Sequence, residues 1–118
     1  MIKGANVTLI VSSVEKAVKF YTGTLGLKLK AQYGDQFAEV AAPGTTIASH
    51  PPIKNGPKPG NSESMSIGFA VEKLDAAVDE LKRKGVVFSR IADDTQVRLA
   101  LFTDPDGNPL YLSQSKWG

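Results

Sequence analysis

The spacing of apolar and polar positions changes several times along the chain, and each change marks an element. Residues 6–11, NVTLIV, are apolar and β-branched, which predicts a strand. Ser12 and Ser13 stand next as helix caps, and Val14, Ala17, Val18, Tyr21 and Leu25 then recur at helical spacing. Gly26 closes that helix, because the left-handed cap position favours glycine. Residues 27–33 alternate and predict a strand, Gly34-Asp35 predicts a tight turn into residues 37–41, and Pro43-Gly44 turns the chain into a third strand at 45–50.

Residues 51–64, PPIKNGPKPGNSES, break the pattern with proline, glycine and asparagine, and predict a linker or mobile loop. The earlier order then returns. Residues 65–71 are strand-like, Leu74, Ala77, Val78 and Leu81 form a helical stripe, and Gly85 ends it. Strands are expected at 86–91, 97–103 and 110–114, separated by turns at Asp93-Asp94 and DPDGN. Strand, helix and three strands therefore occur twice, and VTLIVSSVEKAVKFYTGTLGLKL runs parallel to SIGFAVEKLDAAVDELKRKGVVF. A twofold βαβββ repeat makes an α+β fold, in which neither half buries its apolar sheet face alone. The expected organisation is one domain over 1–118, with one module at about 1–56, a linker at about 51–63 and a second module at about 61–118.

Charge and composition narrow the function more than the fold. The net charge of +2, from 14 basic and 12 acidic residues, offers no concentrated basic face for nucleic acid. The absence of cysteine excludes disulfides, thiolate nucleophiles and thiolate metal sites. No apolar run approaches the roughly 20 residues of a membrane span, and the first residues lack a secretory signal, so a cytoplasmic protein without membrane contact is expected.

Three segments carry a family resemblance. VSSVEKAVKFYTGTLGLKL, FAVEKLDAAVDELKRKGVVF and FTDPDGNPLYL resemble the module openings and closing turn of the vicinal oxygen chelate superfamily, which includes glyoxalase, bleomycin-resistance and extradiol dioxygenase proteins. The resemblance implies two modules whose curled mixed sheets form a cup-shaped cavity, and a homodimer in which modules pair within or between chains. It also implies metal ligands, usually His or Glu, on the first and last strands of each module. Those positions map here onto Asn6, Ala48, Ser66 and Tyr111. None is a strong ligand for a divalent cation, so no metal and no cofactor is expected; a site rebuilt from His50, Glu39 and water is the alternative.

Alternation along the strands extends the expected lining to Asn6, Thr8, Phe37, Glu39, Ala48, His50, Ser66 and Tyr111, with Ile10, Thr46, Ser113, Leu99 and Leu101 on the same faces. A mixed aromatic, aliphatic and polar surface suits a small amphipathic ligand. Tyr111 is expected to close the floor of the cup, with its hydroxyl bonded to Asn6 or Ser66. His50, the single histidine, and Glu39 are the weak candidates for catalysis, because His50 alone has an ordinary pKa near neutrality. The leading expectation is a metal-free small-molecule binding protein. The alternatives are a glyoxalase-like lyase or dioxygenase-type enzyme with an atypical or metal-independent site, and an interaction domain with a filled cup.

Overall fold

A computed structural model describes residues 1–94 and 96–116. The chain divides into two compact units, Met1–Asn61 and Ser62–Gly118, each an α+β module with one four-stranded mixed sheet.

In the first unit, β1 (Val7–Ile10) leads through α1 (Val14–Val18) and a π-helical segment (Lys19–Thr24) to β2 (Lys28–Tyr33), β3 (Phe37–Ala42) and β4 (Thr45–His50). The sheet order is β1-β4-β3-β2, with β1 and β4 parallel and the other pairs antiparallel. Ser13 caps α1 by accepting from the Lys16 amide at 3.2 Å, and Asp35 Oδ1 accepts from the Glu15 amide at 3.1 Å. Two orphan donors of the helix start are thereby satisfied. The expected helix over residues 14–25 widens after Val18: the Leu25 amide bonds to the Phe20 carbonyl, five residues back. Thr22 Oγ1 donates to the Val18 carbonyl at 2.6 Å, and such back-bonding competes with regular helical turns. α1 buries Val14 and Ala17 against β3 and β4, where Ala38, Val40, Ile47 and Ser49 form the facing surface, and Tyr21 of the π-helical segment is also fully buried.

The second unit repeats this topology. β5 (Ile67–Ala70), α2 (Leu74–Arg83), β6 (Arg90–Asp93), β7 (Val97–Thr103) and β8 (Pro109–Ser115) form a sheet of order β5-β8-β7-β6, again with its first and last strands parallel. α2 packs on β7 and β8, and buries Leu74, Val78 and Leu81 with Ala100, Phe102, Leu110 and Leu112. Its first amide, from Leu74, is capped at 2.7 Å by Gln114 Oε1, far along the chain on β8. Gly85, at φ +95°, follows the helix as expected. Residues 86–89 lie outside β6, so the strand expected at 86–91 begins four residues late and runs on to Asp93, which was expected in the turn. Of the two residues expected there, Asp94 makes the turn, its Oδ1 accepting from the amides of Gln96 and Val97 at 2.8 and 2.9 Å.

The connecting residues 51–64 contain turns closed by the amides of Gly56 and Asn61. Ser62 Oγ donates to Asn108 Oδ1 at 2.6 Å and ties this segment to the DPDGN turn. No helix among the described residues is long and apolar enough to cross a membrane.

Candidate functional site

Each sheet has one face under its helix and one face free of it, and the ladders fix which side chains share the free face. In the second unit the assignment rests on contacts. Arg98 reaches Asp75 of α2 at 2.8 Å, and Gln114 reaches the α2 amide, so the even-numbered positions of β7 and β8 face the helix. Leu99, Leu101, Tyr111 and Ser113 therefore lie on the opposite face. Tyr111 is paired with Gly68 on β5 and with Leu101 on β7. Its ring leans over Gly68: a Cβ built there would overlap Cζ, Oη and Cε2 of the tyrosine. The half-buried ring lies over β5 only because residue 68 has no side chain. Ser66 is exposed and lies one residue before β5.

The first unit places Thr8 beside Ala48, and Ala48 beside Glu39. The Ala42–Thr45 pairing confirms the two-residue Pro43-Gly44 turn, and with it the register in which Phe37, Glu39, Thr46, Ala48 and His50 share a face. The repeat also relates residue 48 to the second unit. Val11 donates to His50 O as Val71 donates to Ser113 O, so Ala48 occupies in the first module the place of Tyr111 in the second. Asn6, exposed just before β1, donates through Nδ2 to Thr8 Oγ1 at 3.3 Å. His50 Nδ1 lies 2.7 Å from the Pro51 carbonyl. Lys30 sits in a bulge between Leu29 and Ala31, and Nζ comes within 3.5 Å of Thr46 Oγ1.

Residues 5–112 match the sequence model of the Glyoxalase/Bleomycin resistance protein/Dioxygenase superfamily. The chain belongs to that superfamily. An uncharacterized protein of Mycolicibacterium smegmatis is 31% identical over 105 residues, which cover 88% of this chain and 86% of the relative. Among solved structures, a glyoxalase/bleomycin resistance protein/dioxygenase superfamily member from Sphaerobacter thermophilus is 31% identical, with a TM-score of 0.78 over 97% of this chain and 98% of that one. TnmS3, described as an antibiotic binding protein from Streptomyces sp. CB03234, is 29% identical, with a TM-score of 0.75 over 98% of this chain and 100% of that one.

The divalent metal used by many superfamily members does not fit the residues present. The mapped positions offer an amide that bonds to Thr8, a methyl group, a hydroxyl and a phenol leaning over Gly68. Such a set lacks the imidazole and carboxylate donors that hold these cations. Among the described residues no three His, Cys, Asp or Glu side chains come together as a metal-binding group. Charge is settled elsewhere in the second unit. The Arg98 guanidinium beside Asp75 holds that carboxyl below its ordinary range, and Arg98 is itself raised by the same hydrogen bond. The backbone amides of Val97 and Gln96 lower Asp94. These shifts support turns and helix packing and lie on residues that sequence reasoning did not assign to the site.

Sequence reasoning also passed over Gly68, Arg90 and Gln114. Counting outward from the DPDGN turn leads from Tyr111 to Leu101, but carrying the count to Arg90 needs the register of the next hairpin.

Proposed function

We propose that this superfamily member is a metal-free binding protein that holds a small amphipathic molecule on a helix-free sheet face, and that it works as a cytoplasmic homodimer. The observation that carries the reading is Tyr111. At the position where metal-dependent relatives place a closing carboxylate, the chain has a phenol accommodated by a glycine on the neighbouring strand. A ring in that place presents an apolar surface with a polar tip, which suits a partly apolar ligand. In this reading each unit offers its own ligand-facing set: Asn6, Thr8, Phe37, Glu39, Ala48 and His50 in the first, and Ser66 and Tyr111 in the second. The likeness to TnmS3, an antibiotic binding protein, supports the same class of activity.

A thermal-shift screen against a library of neutral, anionic and cationic amphipathic molecules tests the reading, and at least one class is expected to raise the melting temperature in a saturable way. Metal analysis of untagged protein is expected to give far less than one metal per chain, and a chelator is expected to leave the melting temperature unchanged. The rival reading is an enzyme that uses His50 and Glu39, which share the helix-free face of the first sheet. Stoichiometric zinc, nickel or iron that is lost on His50→Ala would favour that rival.

A further inference from the structure

Four positions form one cross-strand row on the helix-free face of the second sheet. Gly68 is paired with Tyr111, Tyr111 with Leu101, and Leu101 with Arg90. Paired positions project to the same face. The row therefore runs glycine, phenol, isobutyl group and guanidinium from β5 to β6. Adjacent strands lie about 4.8 Å apart, so the backbones of Tyr111 and Arg90 stand roughly 10 Å apart. The next row holds Ala70, Ser113, Leu99 and Ala92, all small or neutral.

Arg90 is the one charged side chain among the described strand residues on this face. Asp93 and Arg98 are turned to the helical face, where they pair with each other at 3.5 Å. Arg90 is exposed and forms no ion pair among the described residues. At the other end, the Tyr111 ring is lowered onto β5 by the missing side chain of Gly68. A low aromatic floor thus leads, by way of an aliphatic side chain, to an uncompensated cation. Aromatic rings attract flat partners by offset or edge contact, and a guanidinium matches a carboxylate with two parallel hydrogen bonds.

We propose that this row is a subsite for a planar aromatic anion, with the ring system over Tyr111 and Leu101 and the anionic group on Arg90. The proposal rests on the binding reading above and assigns the chemical class of its ligand. The span of roughly 10 Å between the strands suits one or two fused rings with one anionic substituent. Gly68 is a positioning residue in this arrangement. A methyl group there meets the far end of the tyrosine side chain rather than backbone, so Gly68→Ala swings the ring away from the sheet without rebuilding β5.

The test is calorimetric titration of the full chain with three matched probes: 2-naphthoate, 2-naphthalenemethanol and 2-naphthylmethylammonium. The expected result is at least tenfold tighter binding of naphthoate than of either congener. Arg90→Gln is expected to reduce naphthoate to the affinity of the alcohol, and Gly68→Ala to weaken the anion and the alcohol together. Melting curves confirm that each variant is folded, and Arg90, being exposed, carries little risk to folding. Equal affinities for the three probes, or a preference for naphthoate that survives Arg90→Gln, overturn the anion assignment while leaving a binding protein. Failure of all three to bind overturns the subsite, and the broader binding reading then stands or falls on the library screen.

Discussion

Tyr111 and Gly68 show how one residue's role is set by another's absence of a side chain. The phenol alone could have stood upright or packed against a helix. The pairing of β5 with β8 brings it over the one position in its row with no Cβ to block it. A comparable dependence governs the DPDGN turn. Asp104 is buried and accepts from the amides of Asp106 and Asn108, both at 2.9 Å, and from Asn108 Nδ2 at 2.8 Å. Three donors converge on one carboxylate, and hydrogen bonds to charged groups are the stronger kind. Asp104→Ala is therefore expected to cost about 3 kcal/mol in urea unfolding, because buried donors are left unmatched. A loss below about 1 kcal/mol would mean that the turn is held by its backbone alone.

At the scale of elements, the two helices solve the same problem by different means. α1 begins with its own serine cap, whereas α2 borrows Gln114 from β8. Removing either cap by Ser13→Ala or Gln114→Ala is expected to cost about 1 kcal/mol in the same unfolding measurement. α2 is also tied to β7 through Asp75 and Arg98. The lowered Asp75 pKa means that the folded chain binds this proton less readily than the unfolded chain does. The pair's contribution is thus fully present above the ordinary carboxylate range and is lost as pH falls through the depressed value. Asp75→Asn is expected to lower stability slightly at pH 7, with the difference from the parent closing as pH falls through the depressed carboxyl range. The magnitude is small because the carboxylate is exposed. A difference that stays constant over that range would show that the ion pair is not its origin.

At the scale of the molecule, the repeat is the main result. Both units have the same strand order with the same parallel and antiparallel pairings, and equivalent residues can be matched strand by strand. The row Thr8, Ala48, Glu39 and Ala31 in the first unit answers to Gly68, Tyr111, Leu101 and Arg90 in the second. The shared fold thus carries a carboxylate in one row and a guanidinium in the other, so the two sheets are no longer chemically equivalent. Several edge-strand side chains are large, apolar and exposed, including Leu29 and Tyr33 on β2 and Ile91 on β6. Such surface favours association. Light scattering after size exclusion at micromolar concentration is expected to give twice the chain mass, and a clean monomer would remove the homodimer from the proposed function.

What the sequence determined by itself was everything governed by near neighbours. Apolar period, serine cap, closing glycines and the Asp-Pro-Asp-Gly-Asn turn each act within a few residues, so both modules, both helices and all eight strands were legible, as was the facing of Tyr111. The errors fell where a local irregularity or a distant partner broke a regular period. The wide turns after Val18 and the bulge at Lys30 interrupt regular periods, and residues 86–88 are apolar enough to read as strand but lie outside the ladder that starts at Arg90. Tertiary structure alone decided that Gln114 caps a helix 40 residues away, that Arg98 turns to Asp75, and that Gly68, Tyr111, Leu101 and Arg90 stand in one row. Each depends on strand register, and register is a cooperative property of a whole sheet: a slip of one residue would send every side chain of a strand to the opposite face.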